Sequence, residues 1–241
     1  FIGGNLSTSL LSKGANVVGL VRNYNKTSFM FYEKLDKKIK IVEGDIVNSA
    51  LLEGILSENN INFVFHLAAQ VEVGVAMNNP FLTYETNVRG TYTLLEACRL
   101  YGNNIEAIIV ASSDKSYGTY PRDQMPYKEN YPLKPKYPYD TSKACTDLIA
   151  KSYSESYKNF PVIITRFCNI YGPGQLNFSA IIPDAIRSAM GLSNFIPRGD
   201  GKSIRDFIFV EDVCDLYQLL ALKLSENQNY SGEIFNAGTN I

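Results

Sequence analysis

Short apolar runs rich in β-branched residues recur along the chain and alternate with stretches of helical period. Val17–Val21, Ile39–Val42, Phe63–Leu67, Ala107–Ala111 and Val162–Thr165 are each almost continuously apolar. Such runs predict parallel strands covered on both faces, because a half-exposed strand would alternate apolar and polar. Between them, Asn48–Ser57, Thr86–Tyr101 and Tyr139–Tyr157 predict helices. In the second, Val88, Leu94, Leu95 and Ala97 recur at helical spacing. The alternation predicts an α/β fold, a Rossmann-type doubly wound parallel sheet with helices on both faces. Ligands of such sheets bind at the carboxyl ends of the strands, so polar residues just after each strand are the first candidates for a site.

After Gly172-Pro173-Gly174 the pattern changes. Helical segments at Ile181–Met190 and Glu211–Leu224 flank a Gly/Pro-rich stretch, Pro197–Gly201. This predicts a doubly wound Rossmann domain over residues 1–170 and a smaller, partial C-terminal lobe over 171–241, the parts that a cofactor and a substrate would occupy if the residues considered below bind an NAD(P) dinucleotide. The chain opens at Phe1-Ile2-Gly3-Gly4 without an initiator Met and ends at Ile241. It is read as a fragment truncated at both ends, with the first strand and first glycines missing.

Charge and cysteine content narrow the classes. With 23 basic and 24 acidic residues the net charge is −1, which argues against a nucleic-acid partner. No run of about 18 apolar residues occurs, so no membrane helix is expected. Cys98, Cys145, Cys168 and Cys214 are scattered and lack ligand spacing with the sole histidine, His66. No metal is expected, and free thiols suggest a cytoplasmic protein.

The N-terminal half carries a candidate dinucleotide site. Gly3-Gly4 opens a helix ending near Gly14, and Gly3 fits the last glycine of a phosphate-binding turn. After Val17–Val21 stands Arg22, where an NAD enzyme usually has an acidic residue. A cation there suits a 2′-phosphate, so NADP is expected, with NAD and an ordinary exposed arginine as the alternatives. Asp45-Ile46 follows the next strand, and Asp45 either meets an adenine edge or caps the Asn48 helix. Leu67-Ala68-Ala69-Gln70 follows His66, and its small residues let a cofactor pass close to the backbone. His66 itself reads as a hydrogen-bonded structural residue.

Tyr139-Asp140-Thr141-Ser142-Lys143 suggests the chemistry. Tyr139 and Lys143 share a helix face. An ammonium and an oxidised nicotinamide nearby would favour the phenolate, letting Tyr139 take a hydroxyl proton as hydride leaves the same carbon. Ser113, just after Ala107–Ala111, could bind the same oxygen.

The set Gly3, Asp45, His66–Gln70, Asn87, Ser113, Tyr139, Lys143 and Arg166 resembles the extended short-chain dehydrogenase/reductases. More narrowly it resembles the NAD(P)-dependent sugar-nucleotide epimerases and 4,6-dehydratases, over essentially the whole chain. The resemblance implies that Asn87 belongs to the cofactor site. It also implies that Asn169, Arg205 and Asn236 hold the diphosphate or nucleotide of a nucleotide-sugar substrate. It implies a homodimer built on helices Asn79–Tyr101 and Tyr139–Tyr157, with Ala97, Ala144 and Ile149 as candidate contacts.

Asp114 and Lys115 bear on the reaction type. A 4-epimerase needs only hydride and proton transfer at C4, whereas a 4,6-dehydratase also needs a base at C5 and an acid at the C6 hydroxyl. An Asp-Lys pair resembles the CDP-glucose 4,6-dehydratases; the dTDP-glucose and GDP-mannose types carry Glu in place of Lys115. A 4,6-dehydratase with Asp114 as acid and Lys115 as base is therefore expected. The alternatives are an epimerase in which the pair is solvated, and a non-catalytic dinucleotide-binding protein that keeps the fold.

Overall fold

The computed structural model describes residues 1–197 and 200–239. Helix α1 (Ile2–Ser12) leads into β1 (Val18–Val21), the short α2 (Phe29–Tyr32), β2 (Lys40–Glu43), α3 (Ser49–Glu58) and β3 (Phe63–His66). Then come α4 (Val73–Asn78), α5 (Pro80–Tyr84), α6 (Gly90–Tyr101) and β4 (Ala107–Ala111). The second half holds α7 (Pro138–Ser156), β5 (Val162–Phe167), β6 (Asn169–Tyr171), α8 (Ile181–Ala189), β7 (Phe207–Phe209), α9 (Val210–Glu226) and β8 (Ile234–Ala237).

The central sheet has the order β3-β4-β5-β8, all parallel, with β1-β2 and β6-β7 as separate parallel pairs. Successive side chains of a strand point to opposite faces, and here both faces are apolar. Ile109 and Ile163 join one cluster with Val213, Tyr217, Leu220 and Leu224 of α9. Ile108, Val110, Val162 and Ile164 join a second with Leu94 and Leu95 of α6 and Ala150 of α7. Each fully buried side chain of this kind contributes about 1.5–3 kcal/mol. This two-sided burial is why the strands read as continuous apolar runs.

Local signals set the helix starts. The Asn48 side chain accepts from Leu51 N and caps α3. Asp45 does not cap that helix; its Oδ1 accepts from Val47 N at 3.2 Å. Asn79 caps α5 with Pro80 in the first turn, and Pro138 opens α7. The helix expected over Asn79–Tyr101 is interrupted by a π-turn at Glu85–Arg89.

Three expectations are corrected. The division at residue 170 does not follow the packing, because α9 and β8 from the expected lobe belong to the main core and sheet. Ala97 and Ala144 are core residues, each 4% exposed, so they cannot meet a second subunit. The Ile46 side chain is also buried, packed where a Cβ on Gly90 would meet it, which leaves only its backbone for a ligand. Of the Pro197–Gly201 stretch, residues 198 and 199 lie outside the described residues, as do 240 and 241. No helix among the described residues is long and apolar enough to cross a membrane.

Candidate active site

Because β3, β4, β5 and β8 are parallel, their carboxyl ends form one edge. Ser112–Lys115 leave β4 there, and the N-terminal half of α7 is stitched against them. Ser112 Oγ donates to Lys143 O (3.1 Å), and Lys143 Nζ donates to Ala111 O (2.8 Å). Tyr139, one helical turn before Lys143, lies where the Ser113 side chain acts on its phenol. The structure thus brings Ser113, Asp114, Lys115, Tyr139 and Lys143 together.

The electrostatics differ from the simple expectation. Burial pushes the Tyr139 phenol up to about 12; Ser113 opposes this, while Asp114 and Asp140 reinforce it. Lys143, expected to favour the phenolate, is instead held at the Ala111 carbonyl, and burial lowers it to about 8. A phenol held this high is a proton donor at neutral pH. It becomes a base only when further positive charge arrives beside it.

Asp114 and Lys115 form a bidentate ion pair, Nζ to Oδ1 at 2.9 Å and to Oδ2 at 2.8 Å. The side chains are 20% and 38% exposed, so the pair is neither fully solvated nor sealed. Ser113 Oγ donates to Asp114 Oδ1 and accepts from Lys115 N, which fixes the turn of residues 114–117.

Residues expected to hold a dinucleotide lie at the adjoining edge. The α1 N-terminus lies beside the chain leaving β3, where a Cβ on Gly3 would stand 3.9 Å from Leu67 Cδ1. Asn87, in the π-turn, clamps that chain. Its Oδ1 accepts from Gln70 N (2.7 Å), and its Nδ2 donates to Gln70 O (3.0 Å) and Ser142 Oγ (2.8 Å). Ala68 is exposed, and Arg22 stands exposed at the end of β1. His66 is buried and bonded to Thr91, as expected of a structural residue. A helix N-terminus that presents backbone donors without crowding Gly3, beside a clamped small-residue loop, fits a dinucleotide pyrophosphate.

The expected substrate residues differ among themselves. Arg205 is exposed and its charge reaches Tyr127. Asn169 Nδ2 donates to Asp206 O at 2.9 Å. Asn236 is engaged at both ends: Oδ1 accepts from the Tyr117 hydroxyl, and Nδ2 donates to Tyr127 O. In this arrangement Asn236 ties β8 to the loop after β4. Arg166 makes a buried bidentate pair with Asp147, at 2.6 and 2.8 Å, and lies over the Tyr117 ring.

Three residues at this edge went unread as site residues. Burial raises the Asp140 carboxyl, with Lys115 opposing and Asp114 adding to the rise. Its place directly after Tyr139 was the available signal. Cys168, at the end of β5, feels Asp114 and Lys115. Tyr127 stacks on Tyr117 at 4.7 Å between ring centroids, a pairing with no periodic trace in the sequence.

Comparison with known proteins identifies the family. The family model described as GDP-mannose 4,6 dehydratase matches residues 1–240. Human dTDP-D-glucose 4,6-dehydratase is 31% identical over 239 residues, covering 93% of this chain and 65% of that protein. A trifunctional UDP-glucose 4,6-dehydratase/epimerase/reductase of Arabidopsis thaliana is 32% identical over 235 residues, 91% of this chain and 34% of that protein. The chain therefore spans a third to two thirds of these relatives' length. Among solved structures, a dTDP-glucose 4,6-dehydratase double mutant from Streptomyces venezuelae with NAD bound superposes with a TM-score of 0.86 at 29% identity, over all of this chain and 73% of that one. The UDP-glucose 4-epimerase of Thermotoga maritima, solved with UDP-glucose, gives 0.84 at 28%, over all of this chain and 74% of that one.

Proposed function

The chain belongs to the GDP-mannose 4,6-dehydratase family, and from that premise we propose that it is the catalytic part of a nucleotide-sugar 4,6-dehydratase. The reaction converts an NDP-hexose to an NDP-4-keto-6-deoxyhexose and water. The observation that carries this reading is the Asp114–Lys115 pair held beside Tyr139 and Ser113.

Gly3, Arg22, Asp45, the backbone of Ile46, Leu67–Gln70, Asn87, Tyr139 and Lys143 would hold the dinucleotide. Bound there, the nicotinamide supplies the hydride acceptor and donor. Tyr139 takes the C4 hydroxyl proton, and Ser113 holds the same oxygen. Positive charge at the nicotinamide side brings the phenol down from its raised value, which is the direction a base needs. The C4 ketone makes the C5 proton acidic; Lys115 removes it while Asp114 protonates the departing C6 hydroxyl. Lys115, half-exposed so that its ammonium hydrogens exchange with solvent, later delivers a proton to C5 while C6 receives the hydride that left C4. The C4 hydroxyl proton replaces the one Asp114 gave up, so the net change is loss of one water.

The working forms are a neutral amine and a carboxylic acid. They arise from the observed ion pair by moving one proton across a 2.8–2.9 Å charge-assisted bond. The pair stays neutral overall, so the step creates no uncompensated charge at a half-buried site.

Arg22 favours NADP; relatives of known structure hold NAD. Titration of both dinucleotides decides it, and Arg22→Asp should favour NAD if Arg22 meets a 2′-phosphate. Arg205 and Asn169 are assigned to the substrate diphosphate. We also assign a homodimer through the helices α5, α6 and α7, where Phe81, Tyr92 and Leu148 are exposed, and a cytoplasmic location, in keeping with four unpaired thiols. Incubation with a panel of nucleotide hexoses, read by mass spectrometry, tests the function. Loss of one water from one substrate is expected. Unchanged mass with inverted C4 would favour the second reading, a 4-epimerase, which the Thermotoga enzyme's similarity supports.

A further inference from the structure

His66 is the chain's single histidine; it closes β3 and is 4% exposed. Its Nε2 lies 2.9 Å from Thr91 Oγ1. The Thr91 hydroxyl is 2.6 Å from the Asn87 carbonyl oxygen, which accepts and cannot donate. Thr146 Oγ1, 3.3 Å from Thr91 Oγ1, lies 3.0 Å from the carbonyls of Asn87 and Ser142, where its own proton goes. The Thr91 oxygen therefore accepts from His66, and the imidazole is the Nε2–H tautomer. Its Nδ1 is left with a bare lone pair, buried and without a hydrogen-bond partner among the described residues. A buried acceptor in that state costs about 1–3 kcal/mol.

The sheet places a donor near it: His66 pairs with Val110 across β3 and β4, and Lys143 Nζ sits on the carbonyl of the next residue, Ala111. Lys143 is the charged group that acts on the His66 ring; together with burial it keeps the imidazole neutral, at about 3. The other groups that face it, from α6 and α7, are the Thr91 and Thr146 hydroxyls. An ammonium has three donors, and Lys143 places one on Ala111 O. No direct bond joins Lys143 to Nδ1 among the described residues, and a buried donor and acceptor that do not touch are commonly joined by one water.

We propose that His66 Nδ1 is the second acceptor for Lys143, reached through one bridging water, and that His66 is thereby the positioning residue that aims the Lys143 ammonium at the catalytic edge. The role rests on the reading of Tyr139 and Lys143 as the proton-handling pair, but its test does not need turnover.

With 15N-labelled histidine, the single ring gives one pair of nitrogen resonances. The intact chain should show a protonated Nε2 and an unprotonated Nδ1 displaced by a hydrogen bond. Lys143→Met should move Nδ1 towards the unbonded position and leave Nε2 in place. A ring protonated on Nδ1, or an Nδ1 resonance unchanged by the substitution, overturns the proposal. If that variant does not fold, a pH titration of the unaltered chain takes its place. The ring should stay neutral above its usual titration range, while Nδ1 shifts with a midpoint at about 8 as Lys143 loses its proton. A flat Nδ1 overturns the proposal. A protein that dehydrates no sugar still yields both readings, so failure of the function and failure of the histidine's role are distinguishable.

Discussion

In the proposed reaction, proton transfer at C4 depends on Tyr139. Tyr139→Phe removes the hydroxyl alone, and kcat should fall by roughly 10²–10⁴, the usual worth of a positioned acid or base, with dinucleotide binding retained in a fluorescence titration. Lys115→Ala should stall the reaction after C4 oxidation, so that reduced nicotinamide absorbance accumulates; dehydration at the unaltered rate would remove Lys115 from the role of base. His66 gives a stability signature. Its folded value, about 3, lies below the ordinary value of 6.5, so the unfolded chain takes the proton first as pH falls. Stability contributed by the neutral ring is present above about pH 6.5 and lost as pH drops towards 3, with a slope approaching about 1.4 kcal/mol per pH unit. Urea unfolding of the chain and of His66→Gln across pH 7 to 4 should show the smaller loss in the variant.

At the scale of elements, α7 is the support of the site. It carries Tyr139 and Lys143 and is pinned to β5 by the Arg166–Asp147 pair, 4% and 2% exposed. Asp147→Ala leaves a guanidinium buried without its counter-charge, and a loss of about 3–5 kcal/mol is expected in denaturant unfolding. The loop after β4 has its own constraint. Gly118 sits at φ +75, and a Cβ there would fall 1.9 Å from Lys134 O, so Gly118→Ala should disturb the turn that follows Asp114 and Lys115. The strands were legible because two-sided burial leaves continuous apolar runs, and the helices expected from Asn48 and Tyr139 begin within a residue of those positions. β6 and β7, three residues each, are too short to show a period. Asn236 was read as a substrate residue and its strand, Ile234–Ala237, was not read at all, because its neighbour β5 is some 70 positions away. The stacking of Tyr117, Tyr127, Tyr120 and Tyr131 joins residues with no common period. The candidate site was legible as a pattern, since Ser113, Tyr139 and Lys143 follow from a strand end and an i, i+4 pair. Their charge states were not, because burial, which the sequence does not display, sets Tyr139 and Lys143.

For the molecule as a whole, α1, the β3 edge and the α7 edge converge on one face where dinucleotide and sugar would meet. The exposed Phe81, Tyr92 and Leu148 predict self-association, and sedimentation at micromolar concentration should give twice the protomer mass. The central claim is that elimination across C5–C6 takes place beside Asp114 and Lys115. Turnover of the accepted nucleotide hexose in heavy water, read by mass spectrometry, tests it most directly. The account predicts a product that has lost one water and gained one non-exchangeable solvent deuterium, at C5. A product of unchanged mass, epimerised at C4 and free of carbon-bound deuterium, would contradict it.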